Sequence, residues 1–294
     1  MCDETTANAY ESYEKAGGSI NRRDFTKLAA AGGLAMAFPQ FADAQGVNQR
    51  AVSIKTPEGD MDALLAYPKG GAAPGVLMWP DIKGLRPAFE SMAVRLASQG
   101  YAVVVVNPFY RDLEGLALPE GVSFPSAEAF AILRPMRAKL TPAAVAMDTQ
   151  AVFDFMDQQS EVSTAKPRAV LGYCMSGTFT MQAAVMYPDT VAAVASFHGG
   201  GLATNEPDSP HLSVSKSKAA ALHAIAEDDD KKSPEMKPLL VEAYGDAGLD
   251  ATIKVYEGTS HGWCPPDSKV YNEAQAEAAW AELTDLLSGA LKPA

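Results

Sequence analysis

The stretch Arg168-Ala-Val-Leu-Gly-Tyr-Cys-Met-Ser-Gly177 joins a run of apolar residues directly to a turn of small residues. The apolar part is typical of a β-strand buried on both faces, and the residues after Gly177 have a helical pattern. Glycines on both sides of Cys174 allow the backbone to approach closely at a sharp strand-to-helix turn. A cysteine at such a turn lies at a helix N-terminus, which favours the thiolate. We therefore interpret Cys174 as a nucleophile, with the backbone N–H of Met175 as an oxyanion donor.

Short apolar runs alternate with helical patterns along the rest of the chain. The predicted strands are 51–56, 62–67, 75–80, 102–107, 168–173, 191–197, 219–226 and 252–257, and the main helical patterns are 88–99, 142–159, 176–186, 234–245 and 269–291. This alternation predicts an α/β fold, with a mostly parallel central sheet of about eight strands and helices on both faces. The first two strands have a short connection and are expected to pair antiparallel. The long stretch 112–139 is expected to carry extra helix or to form a partial lid.

The first 44 residues have the organisation of an export signal. Arg22 and Arg23 precede the weakly apolar run 29–38, and Ala42-Asp-Ala44 has the form of a signal-peptidase site. With Phe25, the two arginines resemble a twin-arginine signal. The sequence thus predicts export by the twin-arginine machinery to the periplasm or the medium, and a single mature domain at 45–294. The alternative is that this segment is an amphipathic helix of the mature protein.

Composition excludes several classes of protein. The chain has 294 residues, of which 47% are hydrophobic and 20% charged, and a net charge of −12. An acidic protein of this kind is not expected to bind nucleic acid or an anionic membrane, since both need basic surface. The body of the chain has no apolar run of 18 or more residues, so no stable membrane association is expected after processing. The three cysteines fit no zinc pattern, and the absence of phosphate-loop and dinucleotide motifs predicts neither metal nor cofactor.

Candidates for an acid and a base follow two later strands. Glu227-Asp-Asp-Asp230 comes directly after the predicted strand 219–226, and His261 comes after the predicted strand 252–257. In α/β-hydrolases the nucleophile, the acid and the histidine occur in this order, each after a strand. His261 is therefore the predicted base. The order leaves open which aspartate of the acidic run would orient it: Asp228, Asp229 or Asp230.

These motifs together resemble the dienelactone hydrolase family over about 52–287. Gly172-Tyr-Cys-Met-Ser-Gly177 is similar to the G-x-C-x-G-G elbow of the family, and His261 lies in a similar S-H-G-W segment. The resemblance implies an α/β-hydrolase fold without a cofactor. It also implies hydrolysis of small carboxylic esters or lactones through a thioester on Cys174. Because Ala226-Glu-Asp-Asp229 matches the G-x-x-D pattern of the family, the resemblance selects Asp229 as the acid.

Two upstream segments extend the resemblance. Trp79-Pro-Asp-Ile-Lys-Gly-Leu-Arg86 is similar to the segment after the third strand, where the family carries a carboxylate that tunes the thiol. Asp81 stands at that position, and the N–H of Ile82 is implied as the second oxyanion donor. Asn107-Pro-Phe-Tyr-Arg111 is similar to the segment after the fourth strand, where the family carries an arginine. Arg111 is thus implied to bind a carboxylate group of the substrate.

Other readings of these residues remain open. Tyr173 and Trp263 flank the motifs and are predicted to wall a substrate pocket, although core packing explains them equally well. Cys174 could instead be a redox-sensing thiol that pairs with Cys264. The chain could also be a degenerate hydrolase fold that only binds a ligand. A serine esterase with Ser176 as nucleophile would need the turn to shift by two residues.

Overall fold

The computed structural model describes residues 46–292, so the predicted export signal lies outside the described residues. The strands are β1 (Val47–Thr56), β2 (Gly59–Pro68), β3 (Gly75–Trp79), β4 (Ala102–Val106), β5 (Arg168–Tyr173), β6 (Val191–Phe197), β7 (Ala220–Ala226) and β8 (Ala251–Tyr256). They form one sheet in the order β1-β2-β4-β3-β5-β6-β7-β8. β1 pairs antiparallel with β2, as does β2 with β4, and the other neighbours are parallel. The predicted sheet of eight strands is confirmed, as is its antiparallel beginning.

Helices cover both faces of this sheet. They are α1 (Pro87–Ala97), α2 (Ala127–Ala138), α3 (Pro142–Asp157), α4 (Gly177–Met186), α5 (Glu227–Lys232), α6 (Met236–Ala247) and α7 (Glu273–Leu291). α1 and α7 pack on one face, whereas α2, α3, α4 and α6 pack on the other, and each face has its own apolar core. Within residues 46–292, no helix has the length and hydropathy that a membrane span requires.

Strand β4 shows why the central strands are apolar without interruption. Val103 and Val105 belong to the core beneath α1 and α7, and Val104 and Val106 belong to the core on the other face. Side chains alternate between the faces of a strand, so a strand covered on both faces needs an apolar residue at every position. All five residues of β4 are fully buried.

The stretch 112–139 contains a helix, as the sequence analysis allowed. α2 begins after Ser126, whose side chain accepts a hydrogen bond from the N–H of Ala129 at 3.1 Å. Such an N-cap satisfies one of the free donors of the first turn. Leu133 and Met136 of this helix are buried in the core that also holds α4. The helix therefore packs on the face of the sheet that α3, α4 and α6 also cover.

The acidic run after β7 is helical, although the sequence analysis predicted no helix there. It forms α5, and its residues are only partly exposed. Acidic side chains in the first turn of a helix favour helix formation because they face the positive end of the helix dipole. All four acidic residues of α5 lie in that turn, and the two lysines follow in the last turn.

Candidate active site

The elbow after β5 is held by close backbone packing. A Cβ added at Gly172 would lie 2.1 Å from the carbonyl oxygen of Ser176, so glycine is required there. A Cβ added at Gly177 would lie 2.8 Å from the Cα of Gly199, which brings the turn after β6 against the start of α4. Cys174 itself has a left-handed φ of 56°. The side chain of Cys174 is half-buried at the carboxyl edge of the sheet.

Ser176 ties the elbow to the end of β3. Its buried hydroxyl accepts a hydrogen bond from the N–H of Tyr173 at 2.8 Å. The same oxygen lies 3.0 Å from the carbonyl oxygen of Trp79 and 2.9 Å from that of Pro80, to which it can donate its proton. The sequence analysis considered Ser176 only as an alternative nucleophile and did not predict this contact. The fully buried hydroxyl is occupied by backbone groups.

Cys174, His261 and Asp229 form a hydrogen-bonded chain. The Nε2 atom of His261 lies 3.0 Å from the Sγ atom of Cys174. The Nδ1 atom of His261 lies 2.7 Å from Oδ2 of Asp229. The three residues follow β5, β8 and β7, whose carboxyl ends lie along one edge of the parallel sheet. Of the three adjacent aspartates, Asp229 is the one whose carboxylate meets the imidazole.

Helix α5 also holds the backbone of the loop that carries His261. Asp228 Oδ1 accepts the N–H of His261 at 2.8 Å, and a Glu227 carboxylate oxygen accepts the N–H of Gly258 at 2.5 Å. In return, the N–H of Glu227 donates to the Thr259 hydroxyl oxygen at 3.1 Å. The first two residues of α5 therefore fix the loop while the third faces the ring. The helical turn determines which aspartate contacts the ring of His261 and which contacts its backbone. The sequence alone therefore does not distinguish the three adjacent aspartates.

The environment of His261 favours its charged form. Burial alone would lower the pKa of His261, but the hydrogen bonds to Asp229 and Cys174 and their negative charges raise it to about 10. The imidazole side chain is 37% exposed and the Asp229 side chain only 16%. In its charged form the ring donates one hydrogen bond to Asp229 and one to Cys174.

A second histidine packs against the first. The His198 ring is fully buried, and its centroid lies 5.2 Å from that of His261 in an edge-on arrangement. Burial and the charge of His261 hold the pKa of His198 well below its usual range, so His198 is neutral. The φ of His198 is 42°. From residue 46 to the end of α7, Cys174 and His198 are the residues other than glycine with left-handed backbone, and both lie at this site.

The loop after β3 is held to the loop after His261 by buried charges. Arg86 binds both carboxylate oxygens of Asp81, at 2.7 and 2.9 Å, and both oxygens of Asp267, at 2.6 and 3.0 Å. Lys83 adds a contact of 2.8 Å to Asp267. Burial would raise the pKa of Asp267, but Arg86 and Lys83 hold it well below its usual value. The carboxylate of Asp81 thus faces Arg86, and the proposed tuning of the thiol by Asp81 stays a prediction.

Arg111 lies in a similar buried ion pair. Its two terminal nitrogens each lie 2.8 Å from a carboxylate oxygen of Asp148, and its Nε donates to Glu58 at 2.5 Å. The guanidinium also stacks 4.5 Å from the ring centroid of Tyr110. These contacts occupy the guanidinium nitrogens of Arg111, which the family resemblance had assigned to a carboxylate of the substrate. A role for Arg111 in substrate binding stays a prediction.

The remaining predicted residues lie around the elbow. Tyr173 is fully buried and stacks on Phe197, with ring centroids 4.7 Å apart. Trp263 is fully buried against Tyr256, so both predicted wall residues pack in the core. Met175 follows Cys174 in the 3-10 turn, and Ile82, in the loop after β3, is half-buried like Met175. The described residues include no group of three or more His, Cys, Asp or Glu side chains placed to hold a metal ion.

A cysteine at a strand-to-helix turn, with an acid and a histidine after later strands of a mostly parallel sheet, defines an α/β-hydrolase. The family model that matches the chain, over residues 61–291, is that of the dienelactone hydrolase family. The chain therefore belongs to the dienelactone hydrolase family, and it is a hydrolase of the class that acts on ester or lactone bonds.

Individual relatives are distant in sequence. A protein of Salmonella typhi named “Putative carboxymethylenebutenolidase” is 25% identical over 237 residues, which are 79% of this chain and 84% of that protein. A solved “Putative Dienelactone Hydrolase” of Klebsiella pneumoniae has a TM-score of 0.69 at 21% identity and covers 82% of this chain and 98% of its own. A solved dienelactone hydrolase of Anabaena variabilis has a TM-score of 0.59 at 18% identity, over 84% of this chain and 99% of its own. At these identities the two structures show a shared fold.

Proposed function

We propose that the protein hydrolyses small carboxylic esters or lactones with a Cys174–His261–Asp229 triad. The observation that carries this proposal is the hydrogen-bonded chain from the Cys174 sulfur through both nitrogens of His261 to Asp229. The imidazolium favoured by a pKa of about 10 is the partner that a thiolate nucleophile needs. Membership of the family supplies the class of bond, an ester or a lactone.

The reaction has two acyl-transfer steps. The Cys174 thiolate attacks the acyl carbon, and the tetrahedral intermediate expels the alkoxide, which takes the proton from Nε2 of His261. This leaves a thioester on Cys174 and a neutral imidazole. Water then attacks the thioester as His261 removes its proton, and the acid product leaves as the thiolate and the imidazolium are restored. With a lactone, the alcohol and the acid are parts of one product.

The oxyanion of each tetrahedral intermediate needs donors near Cys174. We assign this role to the backbone N–H groups of Met175 and Ile82. The Ser176 hydroxyl supports the assignment, because it fixes the elbow to the carbonyl groups of Trp79 and Pro80, directly before the loop that contains Ile82. Loss of one such donor typically costs about 3 kcal/mol of transition-state stabilisation.

Hydrolysis of a panel of p-nitrophenyl esters and small lactones tests the proposal. The full chain is compared with Cys174→Ala and Ser176→Ala under reducing conditions. We expect Cys174→Ala to lose turnover and Ser176→Ala to keep it, with a free energy of unfolding lower by about 1–3 kcal/mol because buried backbone groups lose a partner. Turnover that survives in Cys174→Ala, or wild-type protein that hydrolyses nothing and links Cys174 to Cys264 on mild oxidation, would contradict it.

We also propose, from the sequence, that residues 1–44 direct export to the periplasm or the medium. The adjacent Arg22 and Arg23 are the basis of this assignment. Replacement of both by lysine in an expressing cell is expected to keep the protein in the cytoplasm. Unchanged export of the double variant would contradict the twin-arginine route.

A further inference from the structure

The turn after β3 is closed by its own backbone and by the side chain of Asp81. The N–H of Gly84 donates to the carbonyl oxygen of Asp81 at 2.9 Å, and the N–H of Lys83 donates to the Asp81 carboxylate at 2.8 Å. Ile82 is the residue between Asp81 and Lys83, and within residues 46–292 its N–H has no hydrogen-bond partner. The turn therefore leaves free the N–H that we assigned above to the oxyanion.

The Arg86 guanidinium joins this turn to the loop after His261. Its five N–H groups make five hydrogen bonds: two to the Asp81 carboxylate, two to the Asp267 carboxylate and one, of 3.2 Å, to the carbonyl oxygen of Gly84. The side chain is buried, and five is the full number of donors that a guanidinium has. Arg86 therefore connects two loops and has no donor left for a substrate.

Asp267 is the acceptor of this contact in the loop after His261. It lies in a turn that the N–H of Ser268 closes by donating to the carbonyl oxygen of Pro265 at 3.0 Å. The ammonium group of Lys83 also reaches the Asp267 carboxylate, at 2.8 Å. Since the Asp267 side chain is only 16% exposed, water screens these attractions little. A displacement of Asp267 is thus transmitted directly to the turn after β3.

We propose that Asp267 is a positioning residue of the reaction: through Arg86 it fixes the turn that carries the N–H of Ile82. Donors stabilise an oxyanion best when they already stand in place before the charge forms. A displacement of about 1 Å in such a site costs about 10²-fold in rate. The inference rests on the proposed function, to which it adds a residue outside the triad.

Two reactions of Cys174 separate the oxyanion from the thiolate. Alkylation by iodoacetamide forms a carbon–sulfur bond and releases iodide, so no oxyanion is made. Addition of the thiolate to the carbonyl carbon of trifluoroacetophenone forms a carbon–sulfur bond and turns the carbonyl oxygen into an oxyanion, without hydrolysis. The full chain is reduced and freed of reductant, and Cys174→Ala gives the background. Fluorine nuclear magnetic resonance measures the dissociation constant of the adduct, and peptide mapping measures the alkylation rate at Cys174.

Replacement of Asp267 is expected to affect the oxyanion alone. We expect Asp267→Asn, which keeps the shape but loses the charge, to raise the dissociation constant of the adduct by about 10–100-fold. For ester hydrolysis, kcat and kcat/KM should fall by the same factor, because the lost interaction is made only in the transition state. The alkylation rate should stay within about threefold of the wild type. Arg86→Lys keeps the charge but cannot bridge two carboxylates with a planar fork, and we expect the same pattern.

Asp157→Asn is the matched control. Asp157 pairs with Arg168, another buried arginine, at the amino end of β5, whereas Cys174 follows the carboxyl end of that strand. This substitution also takes a carboxylate from a buried guanidinium, so the free energy of unfolding should fall in both variants. In Asp157→Asn, however, the dissociation constant of the adduct and kcat should stay within about threefold of the wild type.

Three results would overturn the proposal: an unchanged dissociation constant and kcat in Asp267→Asn, an equal loss of alkylation and adduct formation, or a comparable weakening in Asp157→Asn. The second would mean that Asp267 acts on the thiolate or on the whole fold. Arg86→Lys is judged by the same criteria and decides the matter if Asp267→Asn does not fold. If the adduct responds as expected and no ester or lactone is hydrolysed by the wild type, the proposed function fails and the positioning role of Asp267 stands.

Discussion

Cys174 and His198 are the residues other than glycine that have left-handed backbone between residue 46 and the end of α7. Their φ values of 56° and 42° cost on the order of 1–3 kcal/mol each in an ordinary setting. The surrounding packing maintains both, since the turn after β6 lies against the first residue of α4 at a distance that admits only glycine. One strained residue presents the sulfur, and the other places a neutral ring against the imidazolium of His261.

Asp229, whose carboxylate contacts the His261 ring, is expected to raise the pKa of that ring. Asp229→Asn is expected to lower the pKa of His261 below about 10, because the ring loses its carboxylate partner. By comparison with other triads, kcat/KM should fall by about 10²–10⁴-fold. Nuclear magnetic resonance titration of the His261 ring and steady-state kinetics measure the two effects.

The neighbouring Asp228→Asn is the matched control for Asp229→Asn. Asp228 contacts the backbone N–H of His261 and leaves the ring alone. Its replacement is expected to cause a smaller fall in both the pKa and the rate. Equal effects of the two substitutions would show that α5 acts only by holding the loop.

At the scale of elements, the contact between the turn after β6 and the start of α4 fixes the elbow. A Cβ at Gly199 would lie 2.3 Å from the Ser196 hydroxyl oxygen and 3.1 Å from the Cα of Gly177, whereas a Cβ at Gly200 would meet nothing within 4 Å. Neither position has a φ that alanine avoids.

Gly199→Ala should therefore lower the free energy of unfolding by about 1–3 kcal/mol and reduce the rate of Cys174 alkylation, since the turn must move. Gly200→Ala is expected to leave the alkylation rate unchanged. Denaturant unfolding and iodoacetamide labelling of both variants measure this. Similar behaviour of the two variants would mean that the turn adapts without cost.

Some elements of this fold are predictable from the sequence, and others are not. Strands such as β4 and β5 are recognisable because burial on both faces requires apolar residues at every position. The elbow and the order of Cys174, the acidic run and His261 are recognisable because chemistry fixes their residue types. The helix at Glu227–Lys232 was not predicted, since its acidic run is equally typical of a solvated loop. The burial of Arg86 depends on its contact with Asp267, a residue far away in the chain.

At the scale of the whole molecule, one buried acid links stability to pH. Glu90 lies on α1 beneath the loop that Arg86 anchors, and its Oε2 atom is buried without a hydrogen-bond partner in the described structure. Burial raises its pKa from 4.5 to about 8. Between these values the native state keeps a proton that the unfolded chain has lost. Stability therefore falls as the pH rises from about 4.5 to about 8.

Glu90→Gln should remove this dependence, because glutamine has no proton to lose. The variant is expected to exceed the wild type in free energy of unfolding at pH 8.5, by on the order of a few kcal/mol, and to differ far less at pH 4.5. Denaturant unfolding at the two pH values is the measurement, with the exposed Glu128→Gln as control. A difference from the wild type that is the same at both pH values would argue against an unpaired ionisation of Glu90.

The position of His261 after β8 determines when its contact with Cys174 can form during synthesis. Cys174 leaves the ribosome 87 residues before His261, and β8 occupies an edge of the sheet where it pairs with β7 alone. A nascent chain that has completed the elbow still has no base beside its sulfur. The contacts from Cys174 to His261 and from His261 to Asp229 can therefore form only once the edge strand has docked, and a chain truncated before β8 lacks His261 altogether.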